Sequence, residues 1–356
     1  MIQAQPLHEL CRQGIRDRVF PAASFAIGNA DEVSVGCVGK FTYDENAPNV
    51  QPDSLFDLAS VTKVVGTTSA AMLAHDDGLL DLDKPVIELL PEFAKGGEVK
   101  SKAKVRDLLL HCSGLPAYST FHRRTKTPDE AREAILSLPF EYDTEAKTVY
   151  SCMGFISLQM LLEKLTGKPL DAFLRERLFQ PLGMARTLYN PPEALKSSCV
   201  PTEDDKEIRK KLIQGEVHDP AAFAMGGVSG NAGLFSTATD LAKFCQMMLR
   251  KGDVGCRQLI CAETIERWTT KQGANESTRG FGWDTKSERG SSAGTRFSMK
   301  SYGHTGFTGT TVWIDPEQAI FAVLLTNRVH PTADNQKLTP FRPRFHNLVV
   351  DVLKGA

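Results

Sequence analysis

The sequence predicts an α+β fold, in which one antiparallel sheet is flanked by terminal helices and a mostly helical lobe is inserted into it. Three observations support this. Strand-like runs joined by turn residues lie near the start of the chain, similar runs return near its end, and helical periodicity fills the middle. Strands at both ends with helices between them indicate one sheet built from the two termini.

We therefore expect a single domain covering residues 1–356. Its α/β lobe would be formed by about 1–75 together with 271–356, and its helical lobe by about 76–270. A chain of this length can bury a large core, and no internal repeat interrupts it.

Composition and charge exclude several classes of function. The chain is 41% hydrophobic and 24% charged, as in ordinary soluble proteins, and its formal net charge of −1 gives no general attraction for nucleic acid or anionic membranes. The longest apolar runs are strand-sized, so we expect no membrane span. The first residues lack the basic start and apolar core of a signal peptide. We expect a cytoplasmic protein as given, or a periplasmic or secreted one if a signal was removed. The oligomeric state is not indicated.

The eight cysteines are scattered, at positions 11, 37, 112, 152, 199, 245, 256 and 261. There is no Cys-x-x-Cys and no histidine pair at ligand spacing. We therefore expect free thiols in a reducing compartment, and neither a metal nor another cofactor.

The N-terminal region predicts a helix followed by a hairpin. Residues 6–18 show helical amphipathicity, and the strand-like runs 22–27 and 32–38 are joined by Gly28-Asn29-Ala30-Asp31. Glycine, asparagine and aspartate are typical of hairpin turns. A polar, turn-rich stretch at 41–54 follows.

The next helix carries the first chemical signal, Ser60-Val61-Thr62-Lys63. Apolar or small residues recur from Val61 to Met72 at helical spacing, and Gly78 predicts the end of the helix. Ser60 would therefore lie at a helix N-terminus, where unpaired N–H groups favour negative charge. Lys63, one turn on, shares its face. If that face is buried, the pKa of Lys63 falls, and a neutral lysine can take the serine proton.

A second Ser-x-x-Lys, Ser101 to Lys104, lies in the polar run Lys100–Lys104. That run offers no apolar face to desolvate a lysine. We interpret it as a solvated loop.

The rest of the chain predicts helices and then strands. Helices are expected at 105–111, from Phe155 to a stop at Gly167, at 170–179 and at 241–249, and the glycine-rich stretch 217–236 predicts a tight loop. Strands are expected at 281–283, 310–314 and 319–326, the last two antiparallel across a turn at 315–318. The nearly continuous apolar run 319–325 suits a central strand. A helix near 341–353 ends the chain.

Two further short motifs carry polar groups that suit hydrolysis. Tyr150-Ser151-Cys152 enters the helix that stops at Gly167, and His304-Thr305-Gly306 stands at the start of a strand. A tyrosine near a lysine ammonium can relay a proton. A glycine-flanked edge strand can pair with an extended substrate and present a backbone N–H to an oxyanion.

These motifs, in this order, resemble the penicillin-recognising serine hydrolases. The sequence is most similar to the class C β-lactamase branch, with its family VIII carboxylesterases and its D-aminopeptidase-like and muramoyl-amidase-like members. Weaker matches are the segments 109–116, 179–184 and 226–240. The resemblance covers roughly residues 6 to 350, and it implies a β-lactamase/transpeptidase-like fold.

The resemblance also implies roles for individual residues. Ser60 would form an acyl-enzyme, Lys63 would act as general base or proton relay, and Tyr150 would be a partner base that later protonates the leaving group. The backbone N–H groups of Ser60 and Phe307 would form the oxyanion hole. His304, Thr305, Gly306 and Cys152 would contact substrate.

Two departures from the family pattern affect the expected substrate. His304 stands where lysine is usual, which removes a fixed positive charge for a substrate carboxylate, and a neutral histidine can only hydrogen-bond. Cys152 replaces an asparagine and loses its amide donor. His-Thr-Gly is familiar among the esterase-like and aminopeptidase-like members, so we favour a carboxylesterase for small to medium acyl esters.

Other functions stay open. A β-lactamase, DD-peptidase or amidase acting on peptidoglycan-type substrates is the enzymatic rival, so the substrate is expected to be a small-molecule ester, amide or lactam. A binding homologue without turnover is a third reading, motivated by Cys152. A metal-dependent hydrolase is disfavoured because no ligand cluster is visible.

Three alternative catalytic residues are rejected or disfavoured. Gly290–Gly294 fits Gly-x-Ser-x-Gly, but loop residues flank Ser292, whereas that motif needs a strand before it and a helix after it. His111 and His218 show no serine-plus-acid setting, so a histidine-based triad is disfavoured.

Overall fold

The computed structural model describes residues 2–255, 257–273 and 277–355. Within these ranges the strands are β1 (Ala22–Asn29), β2 (Val33–Gly39), β3 (Phe56–Asp57), β4 (Leu188–Tyr189), β5 (Asp204–Asp205), β6 (Lys211–Leu212), β7 (Leu234–Ser236), β8 (Asp284–Thr285), β9 (Tyr302–Thr305), β10 (Thr311–Asp315) and β11 (Ile320–Thr326).

The α-helices of the same ranges are α1 (Gln5–Arg16), α2 (Ser69–Asp76), α3 (Val86–Leu89), α4 (Val105–Leu109), α5 (Pro128–Leu136), α6 (Cys152–Thr166), α7 (Leu170–Leu174), α8 (Glu193–Lys196), α9 (Pro220–Ala224), α10 (Ala238–Leu249), α11 (Ala262–Thr269) and α12 (Leu338–Lys354). Short 3₁₀ segments are Ala59–Val61, Pro91–Gly96, Glu98–Lys102 and Phe121–Arg123, and π segments are Lys63–Thr68 and Arg175–Phe179.

The main sheet joins the two ends of the chain, as predicted. Its strand order is β2-β1-β11-β10-β9-β8, and every pair is antiparallel. β1 and β2 form the expected hairpin, in which Asn29 Oδ1 accepts the N–H groups of Asp31 and Glu32 and so stabilises the turn. β11 is buried along its whole length and lies third in the order, which confirms the predicted central strand.

The two faces of the sheet bury different cores. Along β11, Ala322 and Leu324 pack with α1 and α12, whereas Phe321, Val323 and Leu325 face the larger core shared with α2, α6 and α10. Successive side chains of a strand point to opposite faces, so one apolar strand serves both cores. The α+β class is confirmed, with terminal helices covering one face.

The element predictions at 217–236 and at 281–283 were wrong. The stretch predicted as a tight loop at 217–236 contains the short helix α9 and ends in a strand, β7, which pairs with β3 and β4 in a small sheet. The strand predicted at Phe281–Trp283 is a turn, and the strand begins at Asp284. Gly282 explains the second error: its φ is +81°, and a Cβ there would lie 2.0 Å from Thr68 Oγ1.

The sequence also gave expectations about membrane spans, metal ligands, cysteines and lobe boundaries. Among the described residues no helix is long and apolar enough to cross a membrane, and no group of three or more potential ligands is placed to hold a metal ion. The seven described cysteines carry free thiols, and Cys256 lies outside the described residues. The boundaries of the two lobes stay a prediction.

Candidate active site

Ser60 lies in a short, strained turn. It belongs to the 3₁₀ segment after β3, and the residue before it, Ala59, has a φ of 46°. This left-handed conformation costs a non-glycine residue about 1–3 kcal/mol and persists only where the surroundings hold it. Here Asp57 Oδ1 accepts the Ala59 N–H at 2.8 Å. Ser60 is therefore placed by the side chain of Asp57 in the preceding strand.

The continuous α-helix predicted after Ser60 was wrong in detail. A π turn, Lys63–Thr68, follows the 3₁₀ segment, and regular α-helix begins only at Ser69. The Ser69 hydroxyl donates to the Val64 carbonyl, five residues earlier, at 2.9 Å. Single π turns inside helices often occur at functional sites.

Lys63 connects three distant parts of the chain. Its fully buried ammonium donates to Ser60 Oγ at 3.1 Å, to the Asn231 carbonyl at 2.9 Å and to Cys152 Sγ at 3.6 Å. All three N–H donors of the ammonium are thereby used. Ser60 and Lys63 do share a face, as the spacing predicted.

The charge state of Lys63 differs from the sequence-based expectation. Burial by itself lowers the pKa of Lys63, but the neighbouring Cys152, Tyr150 and Asp219 outweigh burial, so the pKa lies above its usual value. Lys63 is therefore an ammonium in the free protein. The predicted neutral lysine was wrong because the effect of groups far away in sequence outweighs that of burial.

Tyr150 stands beside this ammonium, 4.9 Å from Lys63 Nζ to the centre of the ring. The next residue, Ser151, is the N-cap of α6: its Oγ accepts the Gly154 N–H and donates to the Pro116 carbonyl. The Ser151 N–H is bound by His111 Nδ1 at 3.0 Å. Tyr150 Oη is buried and has no hydrogen-bond partner in the described parts of the chain. The phenol thus stands beside the Lys63 ammonium, and no other described group binds its hydroxyl.

β9 carries His304 and Thr305 along an edge that is partly open. β8 pairs only with Tyr302 and Gly303, so the following two residues have no strand partner on that side within the described ranges. Such an edge can accept an extended substrate.

His304 is a neutral hydrogen-bonding group. Burial, together with Arg279 and Lys63, holds its pKa well below the usual value. Its Nδ1 donates to the Thr305 carbonyl at 2.8 Å, because a carbonyl can only accept. Nε2 is therefore an acceptor, and it has no partner among the described residues.

The turn after His304 is fastened to the Ser60 segment. Thr308 Oγ1 donates to the Asp57 carbonyl at 2.7 Å and Thr310 Oγ1 to the Leu58 carbonyl at 2.8 Å. A Cβ on Gly306 would lie 2.5 Å from the Leu58 carbonyl oxygen, so only glycine fits there. The Phe307 N–H donates to no other described group, as an oxyanion donor requires.

The predicted residues meet at one cavity of about 640 Å³. Lys63 lies behind it, bonded to Ser60. The predicted residues that line the cavity are Ser60, Tyr150, Cys152, His304, Thr305, Gly306 and Phe307.

Sequence reasoning missed the Asn231 carbonyl, Asp219, Arg279 and Arg342. The last three line the cavity, whereas the first holds Lys63. The only signal for Asn231 was the glycine-rich composition of its segment, which indicated close backbone approach. No sequence signal indicated Arg279 or Arg342.

Ser292 and Ser101 do not line the cavity, whereas His218 does line it but has no serine nucleophile hydrogen-bonded to it among the described residues. Ser292 Oγ accepts the Trp313 indole N–H, and Ser101 Oγ donates to the Glu98 carbonyl on the surface. The solvated loop predicted at Lys100–Lys104 was wrong in part, because Glu98–Lys102 is a 3₁₀ segment and the Lys100 side chain is fully buried. His218 does have an acid partner, which the sequence did not reveal: its Nε2 lies 2.9 Å from Glu203 Oε2. His218 makes no hydrogen bond with a serine hydroxyl in the described residues.

Comparisons with known proteins find a matching family profile and similar named proteins. A family profile described as Beta-lactamase matches residues 7–344. The N-acetylmuramyl-L-alanine amidase of Bacillus subtilis (strain 168) is 37% identical over 311 residues, covering 80% of this chain and 70% of that protein. A protein of Escherichia coli (strain K12), provisionally named a D-alanyl-D-alanine carboxypeptidase, is 35% identical over 311 residues, covering 80% and 71%.

Two solved structures share the fold at low identity. EstCE1, titled a hydrolase with promiscuous acyltransferase activity, has a TM-score of 0.76 at 21% identity, covering 96% of this chain and 98% of that one. The octameric penicillin-binding protein homologue from Pyrococcus abyssi has a TM-score of 0.75 at 20% identity, covering 99% and 78%.

Proposed function

This chain belongs to the β-lactamase family of serine hydrolases, and from that premise we propose that it cleaves carboxylic esters through an acyl-enzyme on Ser60. The observation that carries the proposal is the 3.1 Å hydrogen bond from the buried Lys63 ammonium to Ser60 Oγ, beside a tyrosine hydroxyl with no partner of its own.

In the proposed first step Ser60 Oγ attacks the substrate carbonyl. The Lys63 ammonium stabilises the negative charge that develops on Oγ. Tyr150 Oη takes the serine proton as it gives its own proton to the departing alcohol, so the phenol is unchanged after the step. The N–H groups of Ser60 and Phe307 hold the carbonyl oxygen. Water then attacks the acyl-enzyme through the same groups in reverse order.

Two features support esters as the substrate class. His304 is neutral, so it offers no fixed charge at the position where a lysine is usual. Cys152 Sγ contacts Lys63 without supplying an amide donor for a substrate peptide group. An ester needs neither the fixed charge nor the amide donor, because its alkoxide leaves the tetrahedral intermediate more easily than an amine does.

A second candidate is hydrolysis of amide bonds in peptidoglycan fragments. The names of the Bacillus subtilis and Escherichia coli relatives favour it, at 37% and 35% identity. The Ser60, Lys63 and Tyr150 groups would serve both reactions, so the substrate has to be decided by assay.

Replacing the proposed nucleophile tests the function. Ser60→Ala should abolish labelling by a fluorophosphonate probe and lower p-nitrophenyl ester hydrolysis by roughly 10³-fold or more, because it removes the serine hydroxyl that accepts from Lys63 Nζ. Ser101→Ala, in the exposed second Ser-x-x-Lys, is the matched control and should retain both.

The assays should include a chromogenic cephalosporin and a muramyl-peptide amide. Turnover of either without ester hydrolysis would replace the ester proposal by the second candidate. An unlabelled wild-type protein would instead favour a binding homologue.

A further inference from the structure

The ring of Phe307 is contacted by two other side chains of the cavity wall. The His218 ring stacks against it with 5.7 Å between ring centres, and Arg328 Cζ lies 4.4 Å from the centre of the same ring. All three residues line the cavity. Phe307 is 52% exposed, so packing within the core does not fix its side chain. The contacts with His218 and Arg328 therefore limit the rotation of this ring.

Phe307 also supplies a backbone group to the proposed oxyanion hole. Its carbonyl accepts from Arg328 Nε at 2.7 Å, and the hydroxyl of the next residue, Thr308, donates to the Asp57 carbonyl. The Phe307 N–H donates to no other described group. An oxyanion donor stabilises the transition state when it is fixed at the place where negative charge develops. A contact that holds Phe307 can therefore act on catalysis through this N–H.

His218 is itself fixed at its main chain. Its backbone N–H donates to Asp57 Oδ2 at 2.6 Å, and Asp57 Oδ1 accepts the Ala59 N–H at 2.8 Å. One buried carboxylate thus joins His218 to the residue that precedes Ser60. His218 is therefore connected to the nucleophile turn through its backbone and to the oxyanion turn through its ring.

The imidazole of His218 is oriented by Glu203. His218 Nε2 lies 2.9 Å from Glu203 Oε2, and this hydrogen bond holds the pKa of Glu203 below its usual value. Glu203 is therefore a carboxylate, which can only accept, so His218 Nε2 carries the proton. Glu203 Oε1 accepts the Ala333 N–H, and the Ala333 carbonyl accepts from Arg328 Nη1. The two residues that contact the Phe307 ring are thus connected to each other through Glu203 and Ala333.

We propose that His218 is a positioning residue, which holds the Phe307 N–H in the oxyanion hole through the stacked rings and is itself oriented by Glu203. The proposal rests on the acyl-enzyme function above. His218 makes no hydrogen bond with a serine hydroxyl in the described ranges, so it acts through Phe307 rather than on the Ser60 proton. Removing its ring should slow formation of the oxyanion without weakening substrate binding.

The kinetic test compares substitutions that remove or keep the ring. His218→Gln can still donate to Glu203 but loses the stacked ring. It should lower kcat for p-nitrophenyl ester hydrolysis by roughly tenfold or more and leave KM within about twofold, because an oxyanion donor acts in the transition state. His218→Phe keeps an aromatic ring and should recover most of the lost kcat. A wild-type kcat in His218→Gln, or no recovery in His218→Phe, would overturn the proposal.

A double variant tests whether His218 acts through Phe307. Phe307→Leu keeps the backbone N–H and removes the ring that His218 contacts, so it should lower kcat to a similar extent. If both losses come from one contact, the double variant should be no slower than Phe307→Leu alone, within about twofold. Losses that multiply would show independent effects and contradict the proposal. If His218→Gln does not fold, Phe307→Leu decides the question, and an unchanged kcat in it would contradict the proposal.

His75→Gln is the matched control. The His75 ring also lies 5.7 Å from an aromatic ring, that of Trp268, but it belongs to α2 and does not line the cavity. This variant should retain the wild-type kcat per folded molecule. A loss equal to that in His218→Gln would indicate a general effect of removing such a contact, and the proposal would fail.

An NMR measurement distinguishes failure of this proposal from failure of the proposed function. In protein with isotopically labelled phenylalanine, relaxation of the Phe307 amide should show more picosecond-to-nanosecond motion in His218→Gln than in wild type or His75→Gln. A wild type that hydrolyses no ester and takes no fluorophosphonate label would refute the acyl-enzyme function, but this comparison would still decide whether His218 holds Phe307. Unchanged relaxation of the Phe307 amide in His218→Gln would refute the positioning role.

Discussion

Lys63 and Lys100 show how neighbours, rather than burial, decide the charge of a lysine. Both side chains are fully buried. Burial lowers the pKa of Lys100 to about 8, and among the described residues its ammonium contacts the Leu136 carbonyl and the rings of Phe93 and Phe140. Burial acts on Lys63 in the same direction, but Cys152, Tyr150 and Asp219 raise its pKa overall. The raised pKa therefore favours the ammonium form of Lys63 beside the serine.

Removing that cation should suppress catalysis. We expect Lys63→Met to lower kcat for ester hydrolysis roughly 10²–10⁴-fold, because both the stabilised charge on Ser60 Oγ and the geometry of proton transfer are lost. Steady-state kinetics measure the effect. Lys100→Met, which also removes a buried lysine but lies outside the cavity, should retain the wild-type kcat per folded molecule. A similar loss of kcat in both variants would indicate a general effect of removing a buried lysine.

Among the elements, the start of α6 both caps a helix and places side chains in the cavity. Ser151 caps the helix, and the residues on either side of it, Tyr150 and Cys152, both reach the cavity. The His111 ring, 4.7 Å from that of Tyr150, receives the Ser151 N–H. The orientation of the phenol thus depends on an ordinary helix cap.

This coupling predicts different outcomes for two similar caps. Ser151→Ala and Thr237→Ala, the N-caps of α6 and α10, should each lower the free energy of unfolding by about 0.5–2 kcal/mol. Only Ser151→Ala should also lower kcat, by about tenfold or more, since small displacements of a catalytic group are costly. Urea unfolding and esterase kinetics measure the two effects. An unchanged kcat in Ser151→Ala would show that Tyr150 is held by other contacts.

At the scale of the whole molecule, α12 is attached to the sheet through a buried histidine. His346 Nδ1 donates to the Ser292 carbonyl at 2.7 Å, and its Nε2 lies 3.3 Å from Thr311 Oγ1 and accepts from it. Burial lowers the pKa of His346 from its ordinary 6.5 to about 4. Its neutral form is therefore part of the folded state.

The lowered pKa makes stability depend on pH in a defined window. Between pH 6.5 and 4 the unfolded chain binds a proton at His346 that the folded chain does not, so acidification favours unfolding by up to about 1.4 kcal/mol per pH unit. His111 and His304 act in the same direction. We expect His346→Gln, whose amide can still donate and accept, to show a flatter fall of unfolding free energy between pH 7 and 5. Groups shared by both proteins cancel in this comparison, and parallel curves would contradict the assignment.

Much of the fold follows from local patterns. The hairpin at the start of the chain, the central strand 320–326 and the helix that stops at Gly167 were predicted from periodicity and turn residues, and the structure has all three. Phe281–Trp283 and the strand β7 were not, because their conformations depend on Thr68 and on β3, which lie far away in sequence.

The sequence by itself determined the α+β class, the order of the elements and the residues that meet at the cavity, because these follow from periodicity, spacing and family motifs. Only the tertiary structure decided the charge of Lys63 and the role of the Asn231 carbonyl. The contacts of Lys63 with Cys152 and Asn231 span 89 and 168 residues. No local pattern encodes such contacts, and in a low-dielectric interior they decide which groups carry charge.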